Sequence, residues 1–594
     1  MRKFYLLFFF FCIVTNISAT VKSLKLVDNQ LCTSDNKAIQ LRGWSTHGSW
    51  FKNCYDDLSD FQKMKDTGAN VVRIAQYVTE GEGVNETWVK NCIDYCASLD
   101  MYCIVDWHVQ SPGNPNDNRY SDSKTFFQDI SYYVKTKGYN HVLYEICSAP
   151  NKDEQGEPCE FSDVWGWIKD YSAEILPIIK ACDPDAIVIV GTPQWDLALD
   201  FPVYDPLDEM GMNVMYSFHY YAADQERYLG HLSTASAFIP VFVSEWGVGS
   251  LSGGLSYNTK SSDKLMTVCN GKNLGDQLVS WCNWAWCDKD ETSAFKNYNN
   301  LEFTAAGNYV KSQLAQGGER IAYSESTPYG SPMTISGEDD FYFSLECFDE
   351  GGNNNAYYDY DESWVPCSPI PCNAGVAGMY GYVRQNDYVD IGYTDEDKPS
   401  NGYYSLSYLH SGEWIKYTLN VLKAGDYEME TYTNNNISPN IVAFSVDGKN
   451  AMVDEDGNEI YRGLKLPTTG EGSYYDGYSD WGWTVPYSPI APLKKFRIRF
   501  KTPGVHTLGI AFLTECSGLG SLKLKTPIPI RIIGDVNNDG IVTMADANAV
   551  VNYFLATDPS SIANFNVAAA DVNDDHTITM ADANKIVNIF LGAE

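Results

Sequence analysis

At 594 residues the chain exceeds the roughly 250–300 that a single hydrophobic core supports, so several domains are expected. A formal net charge of −35 excludes a nucleic-acid partner, which wants a basic surface. Hydrophobic residues make up 44%, enough for a large core, and aromatic residues a high 14%.

Residues 1–19 combine a basic start, an apolar run and small residues near Ala19, the pattern of a secretory signal peptide. The apolar run Leu6 to Val14 is too short to cross a bilayer, and no other membrane segment is expected. Sixteen cysteines become fifteen once Cys12 is removed with the signal, so at least one is unpaired. Many sit inside apolar strands as core fillers, no spacing suggests zinc, and no disulfide is assigned.

From 21 to 316, eight short apolar strands alternate with amphipathic helical runs: AIQLRGWSTHG, NVVRIAQYV, MYCIVDWHV, HVLYEICSAP, AIVIVGTP, NVMYSFHYYA, VFVSEWG and SWCNWAW. Eight such units predict a closed (β/α)8 TIM barrel, because no Gly-rich phosphate loop follows any strand as an open doubly wound sheet would require. Polar and aromatic residues gather at the strand ends: His47, Arg73, His108, His219, Tyr221, Glu245 and Trp284. In a barrel those ends form one face, where sites are built.

Residues 317–336 are polar with Gly and Pro and read as a linker. Residues 337–526 turn to alternating strands such as EWIKYTLNV, DYEMETYT, NIVAFSVDG, KKFRIRF and HTLGIAFL, which predict an all-β jelly-roll sandwich. Residues 531–594 hold a repeat: DVNNDGIVTMADANAVVNYFLA from Asp535 returns as DVNDDHTITMADANKIVNIFLG from Asp571.

Each copy sets oxygen ligands at loop positions 1, 3, 5, 9 and 12: Asp535, Asn537, Asp539, Thr543 and Asp546, then Asp571, Asn573, Asp575, Thr579 and Asp582. Ca²⁺ is a hard cation taking six to eight oxygens, and this spacing curls them round one centre, so two Ca²⁺ ions are expected. The sixth position needs a sharp turn; Gly540 meets it in the first loop, and His576 makes the second site the weaker. A helix is expected after each loop and none before it.

The repeat resembles a type I-like dockerin, the calcium-dependent module that docks an enzyme onto a cohesin of a scaffolding protein. The resemblance implies a cohesin partner met by Met544-Ala545 and Met580-Ala581, identical pairs that permit two rotated orientations. The stretches ECFDEGGNNNAYYD, VRQNDYVDIGY and SYLHSGEWIKYTLNVLKAGDYEMETYT resemble a family 6 carbohydrate-binding module. That implies a sugar stacked between Tyr408 and Trp483, and a structural Ca²⁺ at Glu346. It departs from the family near the last strand, where Gly520 and Ser521 replace a sugar-bonding Asn.

The barrel motifs LRGWSTHG, NVVRIAQY, CIVDWHVQSPGNPND, LYEICSAPN, NVMYSFHYYA, VFVSEWGV and CNWAWCDKDETSA resemble glycoside hydrolase family 5, in its endoglucanase-like branch. The resemblance implies retaining hydrolysis of β-1,4-glucan or a related plant polysaccharide, with Glu245 as nucleophile. Arg73 and Tyr221 would bond that carboxylate; His47, His108, Ser148, His219, Trp284 and Lys289 would line the sugar site. Retention needs two carboxyl groups about 5–5.5 Å apart, one of them a proton donor. The family carries it in an Asn-Glu-Pro motif ending the fourth strand; here the residues are Ser148-Ala149-Pro150. Strand alternation would let Glu145 face the same way as Ala149, but four residues lower, roughly 13 Å deeper. It reads as a structural carboxylate. Glu154, Glu157 and Glu160, on the following loop, remain as relocated donors. The expectation is therefore a secreted, scaffold-docked glucanase of low turnover, or a glucan-binding pseudoenzyme that tethers a cellulosome-like complex to its substrate.

Overall fold

The computed structural model describes residues 21–79, 83–111, 113–151, 159–207, 213–252, 256–289, 293–316, 326–359, 384, 387–393, 404–434, 440–460, 463–467, 482–486, 495–530, 532–537, 541–556, 565–573 and 577–592. Residues 1–19, expected to be a signal peptide, lie outside these residues with Glu154, Glu157, Asp539, Gly540, Asp575 and His576, as do the side chains of Tyr408 and Trp483.

Eight parallel strands close the barrel: β1 (Arg42–Ser45), β2 (Val71–Tyr77), β3 (Tyr102–His108), β4 (Val142–Ser148), β5 (Ile187–Val190), β6 (Asn213–Tyr221), β7 (Val241–Gly247) and β8 (Ser280–Asn283), with β8 paired back to β1. β2, β3, β4 and β7 are buried at every residue, as strands covered on both faces must be. Their inward side chains at the lower end form a compact core of Val71, Ile104, Leu143, Ile189, Met215 and Phe242. Their outward side chains pack under the ring of helices α1 (Leu58–Asp66), α2 (Glu86–Ser98), α3 (Ser123–Lys137), α4 (Phe161–Cys182), α5 (Leu229–Ala235), α6 (Thr259–Cys269) and α7 (Ala305–Ala315). Side-chain caps start several of these helices: Asp57 forms a capping box with Asp60, and Asn85 accepts from Trp88 N. Cys54, Cys92, Cys103, Cys147 and Cys282 are buried thiols that fill the core. No described helix is long and apolar enough to cross a membrane.

The sandwich follows, in two mostly antiparallel sheets. Its longest pairing runs from Trp414↔Ala511 to Val421↔Gly504. It sits tightly on the barrel. The Trp414 indole, 1% exposed, donates to Ser233 Oγ at 2.9 Å, and Thr234 Oγ1 donates to the Gly412 carbonyl at 2.7 Å. The backbones meet at glycine on both sides: a Cβ on Gly412 (φ +91°) would lie 2.8 Å from the Gly230 carbonyl carbon. Any larger residue there would push the two bodies apart.

The last segment packs helix α8 (Met544–Leu555) on α9 (Met580–Leu591) around Val536, Ala547, Val550, Ala570, Ala583 and Ile586. One expectation is corrected. A short helical turn, Val567–Ala570, does precede the second loop. Its Ala569 and Ala570 are fully buried, so contact with the helix pair favours a turn that the local sequence does not announce.

Candidate active site

The site lies at the C-terminal ends of β2, β3, β4, β6 and β7, and Arg73 is its hub. Arg73 is fully buried and its guanidinium meets three carboxylates. Nε donates to Glu145 Oε2 at 2.6 Å, Nη1 to Glu245 Oε2 at 3.2 Å, and Nη2 lies 3.0 Å from Asp106 Oδ2. Nη2 also donates to Ser148 Oγ at 2.8 Å. Dehydrating a guanidinium is costly, and these contacts offset that cost by pairing. The result is a cation whose pKa is driven up by its three anionic neighbours against the effect of burial.

Glu245 therefore has a fixed position. Tyr221 Oη donates to its Oε1 at 2.7 Å, while Arg73 holds Oε2. The carboxylate is 6% exposed, just open to the cleft. Above it lies a set of rings: His108 stacks on Tyr77 with centroids 4.3 Å apart, Trp284 is 5.9 Å from His108, and His47 is 4.7 Å from Trp284. Lys289 Nζ approaches His47 Nε2 at 3.0 Å. Asp106 orients His108 through Nδ1 at 3.0 Å. Burial lowers the affinity of His108 for its proton, and Asp106 reverses that, so its pKa lies above the ordinary imidazole value.

Two expectations for β4 change. Glu145, Cys147 and Ala149 do not keep one alternating face, because the β3–β4 register shifts between Asp106/Glu145 and His108/Ser148. Both Ile146 and Cys147 lie in the outer core, and Ser148 turns inward to share Arg73 with Glu145. A bulge adds one residue and swaps the faces beyond it. Glu145 is fully buried and paired with Arg73, the structural carboxylate expected, within the charge cluster below Glu245. Burial, with Asp106 nearby, pushes its carboxyl up to about 7 against the pull of Arg73. Ser148 is fully buried, so its hydroxyl serves Arg73 and not the open cleft. Glu160, placed at the start of α4, is exposed.

Ala149 itself has φ +58°, a left-handed conformation that costs a non-glycine residue about 1–2 kcal/mol. Facing it, the turn after β5 holds three successive residues in the same region: Gln194 (φ +60°), Trp195 (φ +56°) and Asp196 (φ +63°). The two loops are tied together. Asp196 Oδ2 accepts from Ala149 N at 2.6 Å, Asp196 Oδ1 accepts from Thr192 N, and Trp195 N donates to the Pro150 carbonyl. Asp196 Oδ2 is also 3.2 Å from His219 Nε2, and His219 Nδ1 is 3.9 Å from Glu245 Oε1. Asp196 is fully buried, and burial raises its carboxyl well above the usual range. Burial, with Arg73 and His108 nearby, lowers His219 well below its usual value. Reading strand ends for motif residues passes over Asp196. The signal that would have found it is a carboxylate six residues past β5 in GTPQWD, on the strand beside β4.

In the C-terminal repeat, Asp546 Oδ1 accepts from Val536 N and Asn537 N, and its Oδ2 from Thr543 N and Thr543 Oγ1. Asp582 repeats the arrangement with Val572, Asn573 and Thr579. Thr543 and Thr579 cap α8 and α9 through capping boxes. Asp535, Asp546 and Asp582 are buried oxygen donors on loops whose remaining donors are also oxygens, a chemistry that fits Ca²⁺. Among the described residues no group of three or more His, Cys, Asp or Glu side chains is arranged to hold a metal ion. Met544 and Met580 are exposed, 44% and 41%.

The family model for cellulase (glycosyl hydrolase family 5) matches residues 32–290, and the model for the dockerin type I domain matches residues 533–591. An endoglucanase of Clostridium saccharobutylicum is 35% identical over 339 residues, spanning 53% of this chain and 71% of its own length. Cellulase CelDZ1 of Thermoanaerobacterium sp is 34% identical over 309 residues, spanning 49% and 77%. A solved structure named "Cellulase Cel5C_n" shares 30% identity, covers 50% of this chain and 94% of its own, and has a TM-score of 0.45.

Proposed function

Because the chain belongs to glycosyl hydrolase family 5 and ends in a type I dockerin, we propose that it is an extracellular, scaffold-docked protein acting on β-1,4-glucan. The reaction is retaining endo-hydrolysis with Glu245 as nucleophile, and its turnover on unactivated glucan is low because Ala149 stands at the acid/base position. One observation carries this reading: Glu245 is gripped between Arg73 and Tyr221 at the end of β7, while β4 ends in a methyl group. Trp284, His47, His108 and Tyr77 supply a ring-lined floor for the sugar. In the dockerin, Asp535, Asn537, Asp539, Thr543 and Asp546, and their counterparts from Asp571 to Asp582, would hold two Ca²⁺ ions. The bound ions would order the loops that present Met544-Ala545 and Met580-Ala581 to a cohesin. The sandwich would act as a family 6-like carbohydrate-binding module, and residues 1–19 as the export signal.

A second reading, glucan tethering without turnover, draws on the same ring-lined cleft. Hydrolysis of soluble β-glucan and carboxymethyl-cellulose by the native chain and by an Ala149→Glu, Ser148→Asn variant separates the two. The glucanase reading expects slow cutting by the native chain. Restoring a positioned proton donor should accelerate it by about 10²–10⁴. A native chain with no activity at all, beside an active variant, would favour tethering.

A further inference from the structure

We propose that the acid/base function absent from position 149 has moved to an Asp196–His219 pair, with His219 as the residue that exchanges the proton at the glycosidic oxygen and Asp196 as its positioning partner and proton store. This rests on the glucanase reading above, with Glu245 as the nucleophile.

Three independent features of the structure converge on this pair. The first is place. Asp196 hangs from the end of β5, between the vacated end of β4 and His219 on β6, and bonds the backbone N–H of Ala149 itself. The second is geometry. Asp196 Oδ2 lies 3.2 Å from His219 Nε2, a nitrogen that also meets Ser244 Oγ at 3.2 Å, and the other ring nitrogen is 3.9 Å from the nucleophile Glu245, so the imidazole stands between the buried carboxyl and the reacting centre. The third is conformation. Four non-glycine residues in left-handed backbone, Ala149 on one loop and Gln194 to Asp196 on the other, hold the carboxyl in place. Such outliers cluster at functional sites, where surrounding contacts over-determine them.

The groups facing the pair decide where its proton rests. Asp196 faces Glu145 and Cys147 of β4, Arg73 of β2 and the N–H groups of Ala149 and Thr192. His219 faces Arg73, His108 of β3, and Ser244 and Glu245 of β7. With burial and a nearby guanidinium disfavouring imidazolium, and burial disfavouring a second carboxylate, the pair rests as a neutral acid beside a neutral ring. The chemistry balances on that state. Glu245 attacks the anomeric carbon, and the C1–O4 bond breaks with its electron pair going to O4. O4 takes the Nδ1 proton of His219, while Nε2 takes the carboxyl proton of Asp196. Glycosyl ester, neutral His219 and Asp196 carboxylate remain. Water then attacks C1, its proton returns through Nδ1, the Nε2 proton returns to Asp196, and Glu245 leaves as carboxylate. The sum is addition of water across one glycosidic bond.

The experiment uses the full chain on two substrates: barley β-glucan, whose leaving oxygen needs a proton, and 2,4-dinitrophenyl β-cellobioside, whose leaving group needs none. Asp196→Asn and His219→Gln are compared with the native chain, and each is checked by thermal melting. Either variant should lower β-glucan turnover about 10²-fold or more, while its dinitrophenolate burst falls at least tenfold less. The alkaline limb of the native β-glucan pH profile should disappear, and added azide should restore variant turnover of the aryl glycoside. If one variant fails to fold, the other reads the same ratio. A variant that keeps native β-glucan turnover and its alkaline limb overturns the proposal. So does a native chain that bursts on the aryl glycoside yet cannot cut β-glucan. A native chain with no burst, indistinguishable from Glu245→Gln, overturns the nucleophile reading instead.

Discussion

The two walls of the cleft were built on opposite plans. On the β7 wall, Glu245 is held by Tyr221 from the end of β6 and by Arg73 from within β2, and each is legible as a residue in a motif. On the β4–β5 wall, the strand ends in Ser148-Ala149-Pro150. Ser148 serves Arg73, Ala149 carries only a methyl group, and among the described residues a fully buried carboxyl, Asp196, reaches Ala149 from the loop after β5. A covalent nucleophile must sit within bonding distance of one carbon, so its position tolerates little change. A proton can be relayed through a ring, which leaves its source freer to move.

The contrast can be broken from either wall. The largest effect belongs to Glu245. Glu245→Gln keeps size and burial but removes the attacking oxygen anion, and it should cut turnover on any β-glucoside by roughly 10⁴ or more, read as kcat. If this variant retained activity on the dinitrophenyl substrate, the β7 wall would not hold the nucleophile. A smaller effect is expected from Tyr221→Phe. It removes one hydrogen bond to a charged acceptor, about 1.5–3 kcal/mol, or roughly 10–100-fold in kcat/KM, with little change in folding. An unchanged kcat/KM would mean that Arg73 alone holds the carboxylate.

The smallest effect sharpens the β4–β5 side and reads stability against pH. Burial raises the Asp196 carboxyl well above its ordinary value, so folding favours the protonated form. That contribution is fully present below the unfolded pKa of about 4 and is lost as pH rises through the raised folded value. Asparagine cannot ionise. The Asp196→Asn chain should therefore gain melting temperature relative to native between pH 4 and pH 8. A constant gap across that range would show an ordinary carboxylate.

Much of this protein was legible before any coordinates. Eight apolar strands spaced by amphipathic helices specify a closed barrel because parallel strands need both faces covered. Two matching runs of oxygen ligands, each followed by a helix, specify the dockerin repeat. Ser148 and Ala149 stand out against the resembled family's Asn-Glu-Pro because a motif fixes spacing along one strand.

What the sequence could not determine arises between segments far apart in the chain. Strand alternation misassigned β4, because a bulge is set by how a strand fits its neighbours and not by its own residue pattern. The turn Val567–Ala570 forms because a helix pair buries it. Asp196 joins the site only because barrel closure sets β5 beside β4 and β6, bringing residues 149, 196 and 219 within hydrogen-bonding reach. The sequence alone determined the barrel and placed Glu245 and Ala149 in their strand motifs. Only the tertiary structure decided which groups stand beside Ala149, since burial and proximity, which set the affinity of a carboxyl for its proton, are properties of the packed fold.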